Sequence, residues 1–380
     1  MGGKNNIFSY LKWRGDLSFE ADGFNEVDSL IFSVIAYLDL AKAEKIHTIT
    51  PGLAPSLRDV SLAVDGKENN RLALIKVEEI VGALHLAAQT KRFSEVKILG
   101  YICHNDEETT MQFAAVTFLL PNGEIYVAYR GTDDTLLGWK EDLIMSYAPY
   151  VASQQEALEY LKYISEQIPN KAIYTGGHSK GGNLAVYAAV KAPEEIKKRL
   201  KGVYNNDGPG FQEEFLQTEE YKLVSPLIHT FIPESSIVGM LLEHEESYQV
   251  ISSSAKAFLQ HAPLSWEVMG KSFVYLESRS QFGRYTDNVL RNWLKTCTNE
   301  EKEEFVEALF NILASGRART LWELTEGDFL HHWRSILKTY SGLDKEKKDL
   351  LNDLLKRLMG EIKKEAIRDN KILRKIDETF

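Results

Sequence analysis

Only two of the 380 residues are cysteine, Cys103 and Cys297. They lie far apart and form no C-x-x-C pair, which argues against a disulfide framework and a cysteine zinc site and fits a reducing compartment. Neither an H-E-x-x-H motif nor clustered His and Asp ligands occur, so no metal or other cofactor is expected. No stretch reaches the roughly 18 uninterrupted apolar residues of a spanning helix. The first residues, Met1 to Asn6, have no apolar leader core. Asn6 stands where a myristoylation signal beginning at Gly2 would carry Ser or Thr. A basic excess is also missing. The net charge is −10 and no block of like charges appears, which disfavours a nucleic-acid partner. The expectation is a cytoplasmic chain without a transmembrane segment.

What is present is globular: 44% of residues are hydrophobic and 26% charged. The length exceeds the usual single domain, so one large domain with an appendage is expected. Between Asn25 and Lys42, Val27, Leu30, Ile31, Val34, Ile35 and Leu38 recur at helical spacing, and Leu72 to Thr90 also reads as a helix. The period then changes. Val96–His104, Gln112–Leu119 and Ile125–Tyr129 read as strands, the last two joined by the turn Pro121-Asn122-Gly123.

Further on, strands and helices alternate. Ser153 and Glu156 suggest a capping box for a helix reaching about Ile168. Lys171–Thr175, Leu200–Asn205 and Pro226–Ile232 read as strands, and Lys180–Lys191 as a helix. Such alternation implies crossover connections and a mainly parallel sheet flanked by helices, an α/β fold. After a strand over Ser272–Leu276 the chain reads as helical to its end. Thr298 and Glu301 form a second capping box, and Leu350, Leu351, Leu354, Leu355, Leu358 and Ile362 share a face of a last helix. The expected division is a sheet domain over residues 1–287 and a helical C-terminal extension over 288–380.

Gly177-His178-Ser179-Lys180-Gly181 matches G-x-S-x-G between a predicted strand and a predicted helix. In such an elbow the serine occupies a strained turn, and glycines two residues either side remove side chains that would clash. Ser179 is therefore the candidate nucleophile. The amide of Lys180, at the helix start, would be one donor to a tetrahedral oxyanion.

A hydrolase of this kind orders its triad as serine, acid, histidine along the chain. His229 falls in a predicted strand, His244 in an acidic stretch that reads as a solvated face, and His331 and His332 in the helical tail. His261 precedes Ala262-Pro263 on a loop and is the preferred base, with His244 as the alternative. The only aspartate between Ser179 and His261 is Asp207, in Asn205-Asn206-Asp207-Gly208-Pro209-Gly210. It could orient the imidazole, or merely cap the turn. Glu234, at the end of the next strand, is the rival acid.

Two segments together, Tyr129-Arg130-Gly131-Thr132-Asp133 and the elbow, resemble the class 3 lipase arrangement of the α/β-hydrolase superfamily. More closely, the chain resembles the Mbeg1-like family, through Trp13-Arg14-Gly15-Asp16, Phe24-Asn25-Glu26-Val27-Asp28, Gly177 to Gly182, Asn206 to Phe211, Ser236 to Met240 and Gln260-His261. The resemblance covers roughly Asn6 to Leu276. It implies Thr132 and Lys180 as oxyanion donors and His261 as base. Class 3 lipases carry their aspartate in an Asp-x-Val-Pro stretch, whereas this chain reads Ser236-Ile237-Val238-Gly239. Either Asp207 or Glu234 substitutes, or the site is a dyad, or the chain has lost turnover.

The expected function is a serine hydrolase that cleaves carboxylic esters, of esterase, lipase or thioesterase type, through an acyl-enzyme. Its substrate would be a small-molecule ester or lipid-like compound. The alternative is a hydrolase-fold scaffold that binds a partner. Lys180 places a charge beside the nucleophile, which would favour an anionic substrate or extend into solvent.

Overall fold

The computed structural model describes residues 5–64, 71–72, 74–133, 135–315, 320 and 329–377. The Gly2 region and the side chains of His331 and His332 lie outside the described residues. The chain divides into two compact units, Met1–Asp133 with Tyr150–Arg279, and Asp134–Pro149 with Ser280–Phe380. The boundary expected at 287/288 would cut through the helix Gln281–Lys295; the observed division lies earlier, and it assigns an internal segment to the second unit.

The first unit is built on eight strands: β1 (Lys97–Asp106), β2 (Met111–Leu119), β3 (Ile125–Tyr129), β4 (Ile173–His178), β5 (Leu200–Asn206), β6 (Ile228–Pro233), β7 (Tyr248–Ile251) and β8 (Tyr275–Leu276). They lie side by side in chain order. The strands β3 to β7 are parallel, while β1 and β2 at one edge and β8 at the other pair antiparallel. The mainly parallel sheet read from the sequence is thus present.

Stepping always to the next strand in one direction, right-handed crossovers put their helices on one face. The unit's helices include α1 (Ile7–Arg14), α2 (Glu26–Ile35), α3 (Val77–Ala88), α4 (Ala152–Gln167) and α5 (Lys180–Lys191). The crossover helices α4 and α5 pack with Ile125, Val127 and Tyr129 of β3. On the opposite face, α2 and α3 pack with Tyr126 and Ala128 of the same strand. All five residues of β3 are buried, as expected for a strand covered on both sides.

Several expected bounds move. Helix α2 stops at Ile35, and α3 starts only at Val77, after a short ladder pairing Arg71–Leu72 with Ile75–Lys76. Helix α4 begins at Ala152, where the Val151 amide donates to Gln154 Oε1 at 3.0 Å, so Ser153 and Glu156 do not form the expected box. Ser272–Leu276 splits into Ser272–Phe273 and Tyr275–Leu276. Strand β7 was not foreseen.

The family-like stretch Phe24–Asp28 carries a structural ion pair. Asp28 and Arg92 are both fully buried, paired through Nε–Oδ1 at 2.8 Å and Nη2–Oδ2 at 2.5 Å, and Tyr10 donates to Asp28 at 2.8 Å. Such a pair serves the fold because breaking one partner strands a buried charge.

In the second unit, the helix Leu136–Ile144 contributes Leu136, Trp139, Leu143 and Ile144 to a cluster with Val306, Phe310 and Ile312 of the helix Asn299–Ala314. The capping box of Thr298 and Glu301 is formed. In the last helix, Lys345–Asp377, Leu351 and Leu354 are buried, but Leu355 is half exposed and leaves the expected face.

Candidate active site

Ser179 follows β4 with φ 59° and ψ −136°, and α5 begins at the next residue. That backbone conformation costs about 1–3 kcal/mol in a non-glycine residue. It is locked in by close packing. A Cβ at Gly177 would lie 2.3 Å from the Gly181 carbonyl carbon, and one at Gly181 would lie 2.1 Å from the Tyr129 carbonyl oxygen. The Ser179 amide also donates to the Asn206 carbonyl at 3.0 Å, tying the elbow to the end of β5.

Asp207 directly follows β5, and its φ of 58° lies in the left-handed region that Asp tolerates better than most residues. Its carboxylate Oδ2 lies 2.7 Å from His261 Nδ1 and accepts the Ser236 hydroxyl at 2.6 Å. The turn-capping role falls elsewhere: Asn205 Oδ1 accepts the Gly208 amide at 2.8 Å. Burial pushes the Asp207 carboxyl above its ordinary value, while His261, Ser236 and Arg279 pull it back. Arg279 also donates to the Ser236 carbonyl at 2.7 Å.

With Nδ1 facing a carboxylate, His261 carries its proton there when neutral, leaving Nε2 as the basic nitrogen. It ends a short 3-10 turn, Ala257–His261, rather than sitting on an irregular loop. Ser179 and His261 make no hydrogen bond with each other. Unliganded sites often hold such contacts loosely.

The other candidates sit apart. His244 is not a solvated residue: its side chain is enclosed, with Nδ1 at 3.0 Å from Glu246 Oε1 and Nε2 at 2.7 Å from the Gly239 carbonyl. His229 is exposed and stacks on Tyr204. Glu234 faces Gln260 at 3.5 Å, one residue away from the imidazole it would have to hold.

Gly131 lies against the nucleophile; a Cβ there would meet Tyr37 Oη at 2.2 Å, the His178 carbonyl at 2.4 Å and Ser179 Cβ at 3.0 Å. Thr132, next in the chain, is buried. The Lys180 side chain corrects the sequence reading. It is only 1% exposed, and Nζ donates to Gln112 through the backbone carbonyl at 2.8 Å and Oε1 at 3.0 Å. The ammonium is held inside the protein by β2 instead of reaching into solvent.

The carboxyl ends of β3, β4, β5 and β6 therefore carry Gly131 and Thr132, Ser179, Asp207 and Ser236, the edge where open α/β sheets place their ligand sites. The profile of the Mbeg1-like family matches residues 87–311. The chain belongs to the Mbeg1-like family. Among curated proteins no sequence relative is found. Of solved structures, the native Rhizomucor miehei lipase propeptide complex is similar at 16% identity over 63% of this chain and 77% of that one, with a TM-score of 0.35. The M37 lipase is similar at 17% identity, over 57% of this chain and 70% of its own, with a TM-score of 0.36. A triacylglycerol lipase from Penicillium expansum is similar at 13% identity, over 50% and 83%, with a TM-score of 0.31.

Three residues that sequence reasoning passed over stand beside the site. Tyr37, His178 and Trp266 are almost fully buried around His261. A polar side chain at the variable position of G-x-S-x-G was the available signal for His178.

Proposed function

We propose that this Mbeg1-like protein is a serine hydrolase that cleaves carboxylic esters through an acyl-enzyme. The observation that carries the reading is the 2.7 Å contact of Asp207 with His261 Nδ1, on the same sheet edge as the strained Ser179 elbow. Ser179 Oγ attacks the ester carbonyl, and His261 Nε2 takes its proton. Asp207 holds the tautomer and stabilises the imidazolium. The amides of Lys180, in the first turn of α5, and of Thr132, after Gly131, are assigned to the oxyanion, each such donor being worth about 3 kcal/mol. His261 then returns the proton to the leaving alcohol, and water repeats the sequence to release the acid. The substrate class is a small or lipid-like ester.

The open Ser179–His261 pair favours one alternative, a hydrolase-fold binding protein with little turnover. Labelling by a fluorophosphonate separates the two, since it requires an activated serine. A stoichiometric adduct on Ser179 of the folded chain supports the hydrolase; well-folded protein without an adduct supports the scaffold.

A further inference from the structure

His178 makes two contacts that the triad does not use. Its Nε2 lies 2.8 Å from the backbone carbonyl of His261, and its Nδ1 lies 2.9 Å from the Tyr37 hydroxyl. The ring is 1% exposed and packs on the His261 ring, with centroids 4.6 Å apart. A carbonyl oxygen only accepts, so Nε2 must carry the proton, and Tyr37 then donates to Nδ1. Burial, followed by the neighbouring His261, holds His178 well below the ordinary histidine value, which keeps this tautomer neutral. Neutrality matters here because an imidazolium forms on His261 during attack, and a second positive charge against it would oppose the step.

The preceding carbonyl of the same turn is also held, since Trp266 Nε1 donates to Gln260 O at 2.9 Å. Two consecutive carbonyls, those of Gln260 and His261, are thus pinned by buried ring N–H donors from two different segments. His178 is joined to Ser179 by a peptide bond, so one residue links nucleophile and base.

Resting on the hydrolase reading above, we propose that His178 is a positioning residue. Its Nε2–H, oriented by Tyr37, fixes the height of the His261 ring over Ser179. Removing the donor lets the turn carrying His261 shift, and a misplacement of about 1 Å at a reacting group is worth about a hundredfold in rate.

The test uses the full chain with p-nitrophenyl butyrate, and two substitutions. His178→Leu keeps apolar volume but has no donor, whereas His178→Gln places an amide N–H near the position of Nε2. The expected result is a loss of about a hundredfold in kcat for the leucine variant with KM within about threefold, and recovery of at least tenfold in the glutamine variant. Proton–nitrogen NMR of the unsubstituted chain gives a reading independent of turnover. It should show His178 as the Nε2–H tautomer and a far-downfield proton between His261 and Asp207. That proton signal should weaken in Tyr37→Phe, which leaves His178 in place should the leucine variant fail to fold. A leucine variant with unchanged kcat, or an Nδ1–H tautomer at His178, overturns the proposal. A chain with the expected spectra but no hydrolysis and no Ser179 adduct would leave the clamp standing and sink the hydrolase reading instead.

Discussion

Ser236 and Asp207 lie just beyond the ends of neighbouring strands, and the Ser236 hydroxyl donates to the same Oδ2 that faces His261. The stretch where class 3 lipases carry their acid thus supplies a hydroxyl donor, while the carboxylate that faces His261 follows the preceding strand. Ser236 is itself tethered by Arg279.

This arrangement ranks three substitutions. Asp207→Asn leaves an amide beside Nδ1 and favours the wrong tautomer, an effect that reaches about 10⁴ in a working triad. The expected loss of ester hydrolysis is at least about a hundredfold. Ser236→Ala removes one hydroxyl donor to a buried carboxylate that keeps its contact with His261, so it should cost roughly tenfold, less than Asp207→Asn. Glu234→Gln should cost least. Initial rates on folded variants decide the order, and a Glu234 effect larger than that of Asp207 would move the acid to the following strand.

A different carboxylate carries acid stability. Burial alone would push Glu246 up, but the hydrogen bond and charge of His244, with the hydroxyls of Thr230 and Tyr221, outweigh it and bring its pKa down to about 2. A depressed folded value stabilises the fold above the unfolded pKa of 4.5, and that stability is lost as pH falls from there through about 2. Denaturant titrations of Glu246→Gln against the unsubstituted chain should show a gap at pH 7 that closes on acidification. A gap independent of pH would contradict the assignment.

Much of this was legible in the sequence. The strand Ile125–Tyr129 and the helix Lys180–Lys191 are bounded as read, because an unbroken apolar run and a glycine-rich entry mark their ends. Chain order narrowed the acid to Asp207 or Glu234 without choosing between them, and only the structure puts Asp207 beside His261. Other features depend on distant partners. Lys180 reads as an exposed charge until Gln112, 68 residues away, is seen to accept from it. Asn205, not Asp207, caps the turn, a choice that two residues of similar capping ability so close in the chain do not reveal. Strand β7 is short and follows the polar stretch Glu243–Ser247, so it lacked a periodic signal.

The internal segment Asp134–Pro149 alters what truncation should do. Ending the chain at Arg279 removes Val306, Phe310 and Ile312, against which Leu136, Trp139, Leu143 and Ile144 pack within the second unit. The shortened chain should bind the dye ANS strongly and aggregate. Replacing residues 134–149 by a short Gly-Ser linker in the same chain should restore solubility and cooperative unfolding of the first unit. If the linker version fails to unfold cooperatively, the first unit does not fold alone.

Activation of Ser179 is read most directly by intact-protein mass spectrometry after fluorophosphonate treatment, which needs no knowledge of the substrate. One adduct per chain is expected, mapped to Ser179, absent after heat unfolding and slowed at least about a hundredfold in Asp207→Asn. A folded chain that takes up no label, or labels equally fast with Asp207 neutralised, would contradict it.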